Sequence, residues 1–161
     1  MRVDVAPTPA ALAPTALPGA SALVIDVLRA STCIVTALAN GCEGIVPVAS
    51  PEEARRRAAT LEKSLIAGER RGEPLEGFDL GNSPLEFTRG RVGGRTIVMT
   101  TSNGTRALVA ARPAAAVGVA AFINHAAAVA WAGIRSSSPR ATARARWWRC
   151  ARRRRWAWPP S

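Results

Sequence analysis

The residues best suited to chemistry stand in the stretch VIDVLRAST, where a short apolar run is followed at once by polar side chains. Residues 22–25 are all apolar, as expected of a strand buried on both faces. Asp26 comes next, and Arg29, Ser31 and Thr32 stand where a helix is predicted to begin. Ligands of open α/β sheets bind where strands end and helices begin, so Asp26 could hold a cation and Arg29 an anionic oxygen. The alternative is that Asp26 is a plain helix cap.

The same order of strand, polar turn and helix recurs further along the chain. Glu69 and Arg70 end a second predicted strand, SLIAGER, and the loop GFDLGNSP follows it. A third predicted strand ends in the hydroxyl and amide cluster of residues 100–105. Carboxylates suit Mg²⁺, whereas hydroxyl groups, backbone N–H groups and arginines suit phosphate or sulfonate oxygens. We therefore predict a magnesium-assisted site for a small polyanion.

Each of these pieces also has an ordinary structural interpretation. Asn82 and Ser83 could form a helix cap before Pro84, and Asp79 could cap a loop. The cluster TTSNGT could be a simple turn. His125, the only histidine, is expected at a helix start and away from the ligand.

Alternating strands and helices must position these residues. The alternation predicts an α/β fold, a three-layer α/β/α sandwich with a mainly parallel or mixed sheet. Strands are expected at residues 1–5, 22–25, 44–48, 64–70, 97–99 and 115–122. Helices are expected at residues 33–40, from Pro51 to about Lys63, briefly from Ser83, and at residues 106–111 and 125–134. Pro47 favours an edge position or an early end for the strand that contains it.

Charge divides the chain into two parts. The net charge is +11, yet residues 135–161 contain nine arginines and no acidic residue. We therefore expect one nearly neutral domain at residues 1–134 and an Arg/Trp-rich tail at 135–161 that is disordered or not native. A frameshift in GC-rich DNA would give such a tail, and a nucleic-acid-binding arm is the less favoured explanation.

The cysteines and apolar stretches bear on the compartment. The three cysteines form no C-x-x-C pair, which favours free thiols in a reducing, cytoplasmic environment. Prolines interrupt the N-terminal apolar stretch, so no signal peptide is expected. The apolar run at residues 114–134 carries Asn124 and His125 in its middle and is predicted to be a strand and a helix, not a membrane span.

Four strings in this order and spacing carry a family resemblance: VIDVLRAST, GER, GFDLGNSPLEFT and TTSNGTRAL. Over about residues 21–130 the chain resembles the 2-phosphosulfolactate phosphatase family. The resemblance implies a Mg²⁺-dependent phosphatase that converts (R)-2-phospho-3-sulfolactate to sulfolactate and phosphate, a step of coenzyme M biosynthesis. It also implies further sheet and helix where this chain has its tail. An inactive, anion-binding remnant of the fold is therefore the alternative function.

The matching positions receive expected roles from this resemblance. The expected catalytic residues are Asp26, Arg29, Asp79 and Asn103, and the expected metal ligands are Asp26, Glu69 and Asp79. The expected substrate-binding residues are Ser31, Thr32, Arg70, Asn82, Ser83, Thr101, Thr105 and Arg106. The attacking group is left open between a water molecule and a carboxylate. The expected partner is a small polyanionic substrate, without membrane or nucleic acid, and an exposed sheet edge would favour homo-oligomers.

Overall fold

The computed structural model describes residues 3–133, in which strands alternate with helices. The strands are β1 (Ser21–Ile25), β2 (Gly44–Pro47), β3 (Ser64–Arg70), β4 (Glu73–Pro74), β5 (Thr96–Thr100) and β6 (Ala116–Ala120). The helices are α1 (Ala30–Ala39), α2 (Pro51–Ala58), α3 (Arg89–Val92), α4 (Gly104–Ala110) and α5 (His125–Trp131). The predicted α/β class is confirmed.

The described strands form two sheets. The larger sheet has the order β2-β5-β3-β4, and the smaller pairs β1 with β6. Strand β5 runs parallel to β2 and β3, and β1 runs parallel to β6, whereas β4 is antiparallel to β3. The pairing is therefore mainly parallel, as predicted, and β2 lies at an edge, as Pro47 indicated. The three-layer arrangement of the whole domain stays a prediction.

Strand β5 lies between β2 and β3 in the larger sheet, and its apolar side chains are buried on both faces. Ile97 and Met99 belong to one core cluster, together with Ile34 of α1. Val98 belongs to a second cluster, together with Ala54 of α2. Burying one such Ile or Val side chain stabilises the fold by about 1.5–3 kcal/mol. The alternation along β5 thus fixes α1 and α2 against the strand and leaves its last residue at the carboxyl edge of the sheet.

The predicted first strand is wrong over the part that the structure describes. Residues 3–5 have irregular backbone, and the side chains of Val3 and Val5 are 63% and 84% exposed. Alternating apolar and polar residues form a stable strand only where a neighbouring strand satisfies the backbone groups. Pro7 and Pro9 follow at once, and a proline has no N–H group to donate to a sheet.

Helix α2 begins as predicted but ends early. The Ser50 hydroxyl accepts the Glu53 N–H group at 3.2 Å, and Pro51 occupies the first helical position. The helix ends at Ala58 and does not reach Lys63, whose φ of 50° lies in the left-handed region. The turn between them directs the chain back into β3.

The loop after β4 returns along β3 and then folds into a tight turn. Leu80 forms a parallel bridge to β3. The short helix expected from Ser83 is a 3₁₀ turn at Pro84–Glu86. The Glu86 carboxylate accepts the N–H groups of Gly81 at 2.9 Å and Ser83 at 3.3 Å, which fixes the loop beside the strand.

Two sequence hypotheses concern the C-terminal part of the chain, residues 114–134 and 135–161. Among residues 3–133, no helix is both long and apolar enough to cross a membrane. The Arg/Trp-rich segment 135–161, with the frameshift and nucleic-acid hypotheses attached to it, lies outside the described residues. The predicted domain boundary at residue 134 therefore stays a prediction.

Candidate active site

The candidate site is the polar rim where β1, β3 and β5 end. Asp26 directly follows β1, Glu69 lies at the end of β3, and Thr101 directly follows β5. The Asp26 carboxylate lies beside the first residues of α1 and α4, Ala30 and Gly104, whose N–H groups favour its charged form. The end of β1 is thereby joined to the turn after β5.

Asp26 is half-buried, and the pKa of its carboxyl group is raised. Burial is the main cause, because it disfavours the charged form, and the negative charge of Glu69 adds to it. The N–H groups of Ala30 and Gly104 act in the opposite direction. A cation bound here would favour the ionised carboxylate, so Asp26 is well suited to hold one.

Glu69 is almost fully buried, and protein groups occupy both of its carboxylate oxygens. One oxygen accepts the Ser102 N–H group at 2.7 Å. The other accepts the Ser102 hydroxyl at 3.0 Å and the Gly72 N–H group at 2.7 Å. Burial opposes ionisation, but these donors and Arg70 outweigh it, so the pKa of Glu69 is lowered. Glu69 thus joins the β3–β4 hairpin to the turn after β5.

Ser102 is a site residue that the sequence analysis did not select. Besides its contacts with Glu69, its hydroxyl accepts the Arg71 N–H group at 3.0 Å. The available signal was its place inside the cluster TTSNGT, between Thr101 and Asn103, both of which were selected.

Two predicted arginines contact backbone carbonyl groups around the same rim. Arg29 donates to the Gly72 carbonyl at 3.2 Å. Arg70 donates to the Thr100 hydroxyl at 2.8 Å and to the carbonyl group of Ala49 at 3.1 Å. These contacts orient both guanidinium groups at the carboxyl edge of the sheet, where they would attract an anion.

Four predicted hydroxyl groups make hydrogen bonds inside the protein. Ser31 accepts the Asp26 N–H group at 3.2 Å, and Thr32 donates to the Val27 carbonyl at 2.6 Å. Thr101 and Thr105 are buried, and each hydroxyl accepts the other residue's N–H group, at 3.0 and 2.8 Å. These residues therefore shape the two turns that hold Asp26 and Ser102.

Asn103 and Arg106 face solvent in the same region. Asn103 immediately precedes α4 and Arg106 lies in its first turn. Both side chains are exposed, so both can reach a ligand that approaches the turn after β5.

The structure does not bring Asp79 together with Asp26 and Glu69. The Asp79 carboxylate accepts the Ile66 N–H group at 2.8 Å, in the middle of β3. Glu69 lies three positions after Ile66, which is about 10 Å along an extended strand. Asp79 thus caps the side of β3, which is the ordinary structural interpretation of this residue.

Asn82 and Ser83 lie beyond the Leu80 bridge, towards the carboxyl end of β3. Asn82 is 7% exposed, and its Oδ1 atom has no hydrogen-bond partner within residues 3–133. A buried amide oxygen without a donor is costly, and such an atom commonly meets a water molecule or an ion. Ser83 precedes the 3₁₀ turn, as the helix-cap interpretation predicts.

The donor atoms of the rim meet the smaller of the ligand requirements of Mg²⁺. Within residues 3–133, no group of three or more acidic, histidine or cysteine side chains gathers around one point. Mg²⁺ commonly takes one or two carboxylates and completes its shell with water and substrate phosphate. Asp26, with Glu69 close enough to raise its pKa, meets that smaller requirement. The amide oxygen of Asn82, which has no hydrogen-bond partner within residues 3–133, is also of the ligand type that Mg²⁺ accepts.

Fold and site together define a class of protein. It is an α/β protein with a candidate ligand site at the carboxyl ends of parallel strands, where one accessible carboxylate lies beside arginines and exposed amide groups.

The family within that class follows from comparison with known proteins. The family model described as 2-phosphosulpholactate phosphatase matches residues 6–140, so the chain belongs to this family. A protein of Thermotoga petrophila named probable 2-phosphosulfolactate phosphatase is 48% identical over 109 residues, which are 68% of this chain and 47% of that protein. A protein of Symbiobacterium thermophilum with the same name is 50% identical over 110 residues, 67% of this chain and 47% of that protein. The chain spans about half the length of these relatives.

Proposed function

We propose that the protein is a Mg²⁺-dependent phosphatase that hydrolyses 2-phosphosulfolactate to sulfolactate and phosphate. The observation that carries the proposal is the position of Asp26, which is half-exposed and lies on the first turns of α1 and α4. The names of the curated relatives supply the substrate. The proposal extends that substrate to this chain.

Substrate binding is assigned to the cationic and amide groups of the rim. The substrate carries phosphate, sulfonate and carboxylate groups, and these need several positive partners before reaction. Arg29 and Asn103 would hold phosphate oxygens, and Arg106 or Arg70 would hold the sulfonate or carboxylate group. Arg29 and Arg70 are already oriented by backbone carbonyl groups, so little side-chain freedom is lost on binding.

Cation binding is assigned to Asp26, with Glu69 as the nearby second carboxylate and Asn82 as an amide ligand. When bound, Mg²⁺ supplies charge neutralisation of the phosphate and a Lewis acid for the leaving oxygen. Asp26 contributes open lone pairs, whereas both Glu69 oxygens already accept hydrogen bonds. Glu69 therefore acts mainly through charge and through its hold on Ser102.

The reaction breaks the bond between phosphorus and the 2-oxygen of the substrate. Either a water molecule or the Asp26 carboxylate attacks phosphorus, and the leaving oxygen takes up a proton to become the sulfolactate hydroxyl. Acid-quenched turnover distinguishes the two routes, because only carboxylate attack leaves a phosphoryl group on Asp26. The family reaction would place the protein in coenzyme M biosynthesis, in the cytoplasm, where the thiols of Cys33 and Cys42, which form no disulfide bond within residues 3–133, stay reduced.

The direct test is phosphate release from 2-phosphosulfolactate by the full chain, with Mg²⁺ and with a chelator. We expect release that requires Mg²⁺, that returns when Mg²⁺ is restored, and that Asp26→Asn abolishes. Release that continues in the chelator would remove the metal from the proposal. Release by the Asp26→Asn variant would remove Asp26 from the mechanism.

A second candidate is a non-catalytic protein that binds the same polyanion. Two observations favour it: the hydroxyl groups of Thr101 and Thr105 bind each other's N–H groups, and Asp79 lies away from Asp26. Calorimetric binding of 2-phosphosulfolactate without phosphate release, by a protein with a cooperative thermal transition, would identify this function.

A further inference from the structure

Gly104, the first residue of α4, occupies a position where the space for a side chain is already filled. Its φ lies outside the left-handed region, so its backbone conformation does not demand glycine. A Cβ atom built at this position would lie 2.5 Å from Asp26 Oδ2 and 2.5 Å from the Cβ atom of Ala30. Glycine is therefore required here by the close packing against Asp26 and α1, and not by the backbone conformation.

The same close approach brings the backbone of α4 against the carboxylate. The N–H groups of Gly104 and Ala30, in the first turns of two different helices, act on Asp26 and favour its charged form. We infer that Gly104 is a positioning residue, whose missing side chain lets α4 hold the Asp26 carboxylate in its cation-binding orientation. The role of Asp26 in this inference rests on the proposed function, whereas the close packing of Gly104 against Asp26 is independent of that function.

The Gly104→Ala substitution distinguishes the effect of packing from the effect of helix propensity. Alanine is a better helix former than glycine, so the substitution by itself favours α4. Its Cβ atom, however, would lie 2.5 Å from Asp26 Oδ2 and 2.5 Å from the Cβ atom of Ala30, closer than van der Waals contact allows. The carboxylate must turn away or α4 must move from α1.

The chain offers a matched control at Gly90, within α3. This glycine also lies outside the left-handed region, and a Cβ atom at this position would meet no atom within 4 Å. Gly90→Ala is therefore the same chemical change at a helical position without the collision.

The kinetic test measures phosphate release from 2-phosphosulfolactate over a range of Mg²⁺ concentrations. For Gly104→Ala we expect kcat to fall about 100-fold, or the Mg²⁺ concentration for half-maximal rate to rise about tenfold, as for loss of one preorganised group. The substrate KM should change far less, because the arginines of the rim are unaltered. Gly90→Ala should match the wild type. A Gly104→Ala enzyme with unchanged kcat and Mg²⁺ dependence would overturn the inference.

A second test needs no activity. The Tm of the full chain is compared for Gly104→Ala in the wild-type background and in the Asp26→Ala background, where the carboxylate is gone. We expect the loss in Tm to fall by at least half in the second background. If Gly104→Ala alone does not fold, folding of the double variant supports the inference, and failure of both overturns it.

The two tests distinguish a failure of the proposed phosphatase function from a failure of the inference about Gly104. A wild-type protein that releases no phosphate refutes the proposed function, and the comparison of Tm values still decides whether Gly104 positions Asp26. If Gly104→Ala lowers the Tm equally in the wild-type and Asp26→Ala backgrounds, the collision is with Ala30 and not with Asp26. That result would overturn the inference, whatever the activity.

Discussion

Asp26 and Asp79 are both acidic residues next to parallel strands, yet their carboxylates contact different groups. Asp26 lies beside the N–H groups at the starts of two helices, whereas Asp79 accepts the Ile66 N–H group on the side of β3. We predict that Asp26→Asn lowers kcat about 100-fold or more, as expected for loss of charge at the reacting phosphate. Asp79→Asn keeps an oxygen that can accept the same N–H group, so its kcat should stay within about threefold of the wild type. Equal losses in both variants would contradict this division.

Glu69 gives a prediction about stability and pH. Because its pKa is lowered in the folded state, it stabilises the protein above its ordinary value of 4.5, and this contribution is lost as the pH falls below that value. Glu69→Gln places an NH₂ group against donors from Ser102 or Gly72, so we expect a loss of about 1–3 kcal/mol at pH 7. Denaturant unfolding at pH 7 and pH 4 measures it. The difference between wild type and variant should shrink at pH 4, and a constant difference would refute the assignment.

At the scale of elements, Ser102 joins the β3–β4 hairpin to the turn before α4. We predict that Ser102→Ala lowers stability by about 1 kcal/mol and also reduces turnover, because Glu69 loses one of its donors. Ser50→Ala is the matched control: it removes the α2 N-cap at a similar cost of about 1 kcal/mol but lies outside the site. Thermal unfolding and steady-state rates are measured for both variants. A parallel loss of turnover in Ser50→Ala would mean that stability alone accounts for the effect.

The elements also explain what could be predicted from the sequence. Asp26, Glu69 and the turn at residues 100–105 were predictable together, because each directly follows or ends an apolar run that could only be a buried strand. The position of Asp79 was not, because it depends on the pairing of the returning loop with β3, which joins residues distant in sequence. The strand expected at residues 1–5 failed for the same reason, since alternation carries no information about a partner strand.

For the whole molecule, residues 1–134 are nearly neutral although the chain as a whole carries a net charge of +11. Ligand attraction must therefore come from local groups at the carboxyl ends of β1, β3 and β5 and not from the overall field. Hydrogen bonds of Glu69 join the β3–β4 hairpin to the turn after β5, and Asp26 packs closely against Gly104 at the start of α4. A ligand that binds at this rim contacts several elements at once and should stabilise the fold as a unit.

This linkage can be measured without any turnover. We predict that Mg²⁺ and inorganic phosphate together raise the Tm of the full chain more than the sum of their separate effects, because the cation and the anion share one site. A ligand at 100 times its Kd adds about 2.7 kcal/mol to the free energy of unfolding, which is several degrees in Tm for a domain of this size. Sodium chloride at equal ionic strength and the Asp26→Asn variant are the controls, and neither should show the combined effect. Additive shifts, or the same shift in Asp26→Asn, would place cation and phosphate at separate positions and leave Asp26 without its proposed role.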